Sequence, residues 1–88
     1  MIYEVRVTKR VLKKLSSLPE PIQLKLDALV ADLESFGPAQ PNWPNYSGLS
    51  KTTYHCHLGY RYVACWRHEK RTVIVEVYYV GSREKAPY

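Results

Sequence analysis

The stretch "TVIVEVYYV", Thr72 to Val80, is the most strongly β-forming segment of the chain. It is almost wholly β-branched or aromatic. Apolar residues occupy nearly every position, where a strand with one wet face would alternate, so the segment reads as the central strand of a sheet. Gly81 is expected to break it, leaving "SREKAPY" as a short polar tail delivered to a fixed place beside the sheet.

Five residues separate it from the preceding "YHCHLGYRYVACW", Tyr54 to Trp66. Thr52 to Leu58 and Tyr60 to Arg67 form a hairpin turning at Gly59, and "RHEKR" makes the next turn. Further upstream, "GPAQPNWPNYSGLS" is a proline-rich loop whose Trp43, Tyr46 and Leu49 are expected to be pinned to the body. Two helices precede it. In "KRVLKKLSSL", capped by Thr8, the residues Val11, Leu12, Leu15 and Leu18 form an apolar stripe opposite a basic face of Lys9, Arg10, Lys13 and Lys14. After Pro19 and Pro21, a stripe of Ile22, Leu26, Leu29, Val30, Leu33 and Phe36 runs to Gly37 and Pro38. "IYEVRVT", Ile2 to Thr8, alternates Tyr3, Val5 and Val7 against Ile2, Glu4 and Arg6, as a first strand does.

The order is therefore β-α-α-β-β-β. This is an α+β fold: a small, mostly antiparallel sheet with two helices packed on one face and the other face open for a ligand. Eighty-eight residues make one domain, 1–88. Its formal charge of +5 and pI of about 9.3 favour polyanionic or acidic partners. Eight tyrosines and two tryptophans can fill a core or stack on bases. The N-terminus has no apolar run of signal-peptide length, and no segment approaches the roughly 20 apolar residues that span a bilayer. A cytoplasmic, membrane-free protein is expected, with Cys56 and Cys65 as thiols. No P-loop, Rossmann fingerprint, nucleophile elbow or zinc-ribbon spacing is present.

Three readings of "HCH" stand side by side. His55 and His57 share one side of a strand, with Cys56 on the other. Such a pair can chelate a metal, but only Cys65 and His68 remain as further ligands, without convincing spacing, so no metal is expected. The pair can be polar residues on a half-wet face. It can also be acid–base machinery, since histidine transfers protons near neutrality and Arg61 lies close by as a charge clamp. Arg61 in turn is either a surface arginine paired with an acid such as Glu76 or a bidentate phosphate ligand.

These residues, "GYR" in the third strand and "VEVYYVGSREKAPY" at the end, in this order and spacing over the whole chain, resemble the RelE/ParE superfamily of bacterial toxins, and RelE-like toxins most closely. That resemblance implies the toxin of a type II toxin–antitoxin system: a metal-independent endoribonuclease, or mRNA interferase, needing no cofactor, that cuts mRNA on the ribosome and so inhibits translation. It implies a cognate antitoxin as partner. It maps functional positions onto Arg61, Arg83 and Tyr88. The strand before "GYR" lacks the family's lysines, and His55 or His57 stands in as general base. Lys51, Arg67 and Lys85 would hold flanking phosphates. The alternative within the superfamily is a ParE-like toxin that poisons gyrase without nuclease activity.

Overall fold

The computed structural model describes residues 2–88. Strand β1 (Glu4–Val7) leads into helix α1 (Lys9–Lys14), which tightens into a 3-10 turn at Leu15–Ser17. Helix α2 (Glu20–Phe36) follows, then strands β2 (Ser47–Gly48), β3 (Thr53–His57), β4 (Tyr62–His68) and β5 (Ile74–Ser82), and a closing 3-10 turn at Arg83–Lys85. The five strands form one sheet in the order β1-β5-β4-β3-β2, with β1 parallel to β5 and every other pair antiparallel. β5 is internal, between β1 and β4, but the central position expected for it belongs to β4, because β1 alone lies beyond β5 whereas β3 and β2 lie beyond β4. The short β2 was not legible in the loop sequence: it is two residues long, and only its pairing with β3 makes it a strand.

Both helices lie on one face. The core between helices and sheet holds Val11, Leu18, Ile22, Leu26, Leu29 and Leu33 from the helical side, against Cys56, Leu58, Ala64, Trp66, Val75, Val77 and Val80 from the sheet. Thr8 caps α1, its hydroxyl accepting from the Val11 amide at 3.3 Å. Two stripe residues depart from expectation. Leu12 is exposed because α1 is under two turns long and only Val11 meets the sheet. Phe36 is 72% exposed because it closes α2, beyond the last buried position, Leu33.

Gly37 ends α2 at a φ of 89°, a left-handed conformation that suits glycine. The ring of Tyr3 covers it so closely that an added Cβ would lie 2.6 Å from Tyr3 Cζ. Gly37→Ala therefore combines backbone strain with a clash. It is expected to lower stability by roughly 1–3 kcal/mol, read as a reduced urea midpoint at constant slope. The loop after Gly37 is held as its composition predicts. The buried Gln40 amide donates to the carbonyls of Gly37 (2.8 Å) and Asp32 (3.1 Å), and Trp43 Nε1 donates to the Asp32 carboxylate at 2.9 Å.

A β-bulge decides what the open face carries. Cys65 pairs with Tyr79 and Trp66 with Val77, so Tyr78 has no partner on β4. The extra residue flips the alternation of β5. Val75, Val77 and Val80 all reach the core although their spacing is two and then three, while Tyr78 and Tyr79 both stay outside it. Gly81 does not break the strand; it pairs with Val63 inside it.

Candidate active site

The open face is assembled by the register of the hairpin. His55 lies opposite Cys65 and His57 opposite Val63, so both histidines share the face away from the helices. Their ring centroids are 6.2 Å apart. They differ in environment. His55 is only 8% exposed, its Nδ1 lies 3.1 Å from Ser47 Oγ on β2, and the ring of Tyr88 sits 4.4 Å from its own. The C-terminal tail thus folds back across the sheet and brings Tyr88 to the histidines. His57 is more open, with the Asn45 amide within 3.3 Å of its Nδ1. Partial burial, the neighbouring His55 and then the Arg83 guanidinium all hold its pKa below the ordinary histidine value. The neutral imidazole is therefore the favoured form at pH 7.

Tyr88 is shifted the other way. Burial first, then the Cys65 and Tyr79 side chains, push its phenol above the usual tyrosine value, while Arg83 pulls modestly against them. It keeps its proton throughout the neutral range.

Arg83 follows the last residue of β5, and its amide donates to the Arg61 carbonyl at 2.8 Å. This bond ties the tail to the loop between β3 and β4. The two arginines line one cleft of about 400 Å³ with Tyr60, Tyr62, Ser82 and Glu84. A second groove on the far side of Arg83 is lined by His57, Asn45, Pro44, Gly59, Tyr60 and Lys25. Arg83 is common to both, and so is Tyr60, whose ring lies 5.0 Å below the Arg83 guanidinium. His57, Arg61, Arg83 and Tyr88 therefore gather at one end of the open face.

The outlying basic residues are placed differently. Arg67, near the opposite end of β4, pairs with Glu76 at 3.2 Å and stacks on Tyr78 at 4.3 Å. It is Arg67, and not Arg61, that takes Glu76. Lys51 is exposed in the turn before β3, at the end remote from Arg61. Lys85 is exposed in the closing 3-10 turn, two residues from Arg83.

The cysteines are free thiols on opposite faces. Cys56 belongs to the core, but Cys65 is not core-side: it faces the histidines and is fully buried among the open-face side chains. Burial pushes both thiols up to about 12, so neither is a nucleophile at neutral pH. Among the described residues, no three His, Cys, Asp or Glu side chains converge as a metal site requires. Asn45, Ser47 and Tyr60 were not legible as site residues. They sit in loops or a minimal strand, and only tertiary contact brings them to the histidines and Arg83.

A two-layer α+β architecture with an open, basic and aromatic sheet face defines a known class. Over 98% of its length the chain matches a chain of the archaeal RelE–RelB complex from Pyrococcus horikoshii, covering 100% of that chain, with a TM-score of 0.78 and 20% identity. It matches the free state of a mutant E. coli toxin RelE with a TM-score of 0.75 and 20% identity, covering 98% of this chain and 88% of that one. A chain of the YoeB–YefM complex from Staphylococcus aureus matches with a TM-score of 0.70 at 6% identity, over 92% and 97% of the two chains. No family model and no curated protein matches the sequence. At these identities the likeness is one of architecture: the protein has the RelE fold. Among the described residues, no helix is long and apolar enough to cross a membrane.

Proposed function

We propose that the protein is the toxin of a type II toxin–antitoxin pair and an endoribonuclease that cleaves mRNA on the ribosome. The observation that carries this reading is the placement of His57 and Arg83 in one groove on the open face of a RelE fold. In the reaction, His57 takes the proton from a ribose 2′-OH. The freed oxygen attacks the adjacent phosphorus, and the 5′-oxygen leaves, so the products end in a 2′,3′-cyclic phosphate and a 5′-OH. The nucleophile belongs to the substrate, so the scheme needs no metal-bound water. Arg83 and Arg61 neutralise the charge that builds on the phosphoryl oxygens. Tyr88, held protonated, donates to the leaving oxygen, with His55 positioning its ring. His57 is the better base of the two histidines, because His55 is buried beneath Tyr88 and bonded to Ser47. Lys51, Arg67 and Lys85 serve as flanking phosphate contacts. Arg67 does so only by sharing its guanidinium with Glu76, so its individual effect is the smallest.

The partner that silences such a surface is an antitoxin segment covering the open basic face. Two of the structures with the same fold are complexes, RelE with RelB and YoeB with YefM. A chain of charge +5 is expected to meet an acidic partner with a salt-dependent on-rate.

The deciding experiment incubates the protein with programmed ribosomes and maps the mRNA ends. Cuts bearing 2′,3′-cyclic phosphate support the reading. An intact message with the wild-type protein overturns it, and gyrase-dependent DNA breaks would put a ParE-like activity in its place.

The pH dependence follows from His57. Its pKa in the folded protein lies below the ordinary value of 6.5, and the neutral ring is the active form. Cleavage is therefore expected to fall with acidification through a midpoint below 6.5, to be flat from neutrality upward, and to fall again only above the ordinary tyrosine value of 10, where Tyr88 loses its proton. NMR titration of the His57 ring should give the same midpoint. A midpoint above 6.5 would exclude His57 as the base.

A further inference from the structure

Tyr60 is one of the most exposed large side chains of the fold, at 78%, yet it is not an isolated surface residue. Its ring is held from one side by the Arg83 guanidinium at 5.0 Å. It forms a wall of both grooves at the candidate site: the one that holds Arg61 and Arg83, and the one that holds His57, Asn45 and Lys25. A large aromatic left in water costs hydrophobic free energy that burial would recover. Here a cation lies over one side of the ring, and most of the remaining surface is free. The arginine beside it is the same one that bears on His57.

We propose that Tyr60 is a stacking platform for one nucleobase of single-stranded RNA, the base attached to a nucleotide whose phosphate lies at Arg61 and Arg83. This rests on the RNA-cleaving reading and adds to it the means by which the strand is registered on the protein. A base on the free surface of the ring would form, with Arg83, a cation–aromatic–base sandwich, an arrangement that every base can enter because each has a π-face. Asn45 and Lys25, which line the second groove with Tyr60, are polar partners available to the edge of such a base. A phosphate bound to two arginines could slide along them; a base stacked on a fixed ring cannot. Tyr60 thus sets which phosphodiester faces His57.

The test separates binding from cleavage. A short single-stranded RNA, 2′-O-methylated at every residue so that no nucleophile remains, is titrated against the wild-type protein and against Tyr60→Leu and Tyr60→Phe, with fluorescence anisotropy as the readout. Tyr60→Leu is expected to weaken binding on the order of tenfold, and Tyr60→Phe, which keeps the ring, to retain most of the affinity. A series of the same oligonucleotide lacking one base at a time should show one position where wild type loses that same factor and Tyr60→Leu loses almost nothing more. Because Tyr60 is exposed, circular dichroism of both variants should match wild type. Equal affinity of wild type and Tyr60→Leu, equal losses by Tyr60→Leu and Tyr60→Phe, or no binding by wild type overturns the proposal. Ring-dependent binding without cleavage of ribosomal mRNA would leave the stacking site standing and remove the nuclease reading instead.

Discussion

Arg83→Ala is expected to lower mRNA cleavage by on the order of a hundredfold or more, the loss seen when one preorganised charge is removed from a developing oxyanion. Three features place the effect there. The arginine lines both grooves of the site, its backbone is bonded to Arg61, and its charge bears on His57. A second readout distinguishes this role from general damage. Arg83 is the third of three influences holding the His57 pKa down, after burial and His55. Removing it should raise that pKa towards 6.5 and shift the acid limb of the rate profile upward, while the urea midpoint stays near wild type. Arg83→Lys keeps the charge but loses the planar fork and the stacking on Tyr60, so it should recover the pKa more fully than the rate. Normal cleavage by Arg83→Ala would remove the arginine from the mechanism.

The largest effect on stability is expected at Trp66. It is fully buried, its Nε1 donates to the Pro38 carbonyl at 3.0 Å, and its ring stacks with Tyr46 and Tyr54, each 6.2 Å away and within 24° of parallel. This cluster fastens the proline-rich loop to the helix-facing side of β3 and β4. Trp66→Ala removes the ring and leaves a cavity, at a cost of about 3–5 kcal/mol. That is a large share of the roughly 5–15 kcal/mol that keeps a domain folded. Trp66→Phe preserves an aromatic ring but leaves the Pro38 carbonyl without its donor, for about 1–3 kcal/mol. Urea unfolding followed by circular dichroism orders the three proteins. Equal midpoints for wild type and Trp66→Ala would mean that the loop is not anchored there.

The amino-acid sequence by itself determined the order of the two helices and four of the five strands. The β-branched, aromatic run from Thr72 to Val80 read as a strand inside the sheet, the helical stripe ending at Gly37 read as a face to be buried, and two helices in succession on so small a sheet were expected to cover one face. The strict alternation of β3 also put His55 and His57 together on one side. These are local patterns with periods of 2 and 3.6, and the chain carries them whatever lies beside it.

What the tertiary structure decided is non-local. The spacing of Val75, Val77 and Val80 has no meaning until β4 is laid alongside and Tyr78 is left over as a bulge. That one residue puts Tyr79 opposite Cys65, on the side of the histidines. Cys65 is buried by the far end of the chain and not by the core, so its position could not be read from its polarity. The two histidines are equivalent in the sequence. They are made unequal by Ser47, Asn45 and Tyr88, which lie respectively 8, 12 and 33 positions from the histidine each meets. The division has a physical cause. Periodicity is a property of a segment, whereas the burial of Cys65 and the protonation of His57 depend on groups within a few ångströms, and only the folded chain brings those groups within that distance.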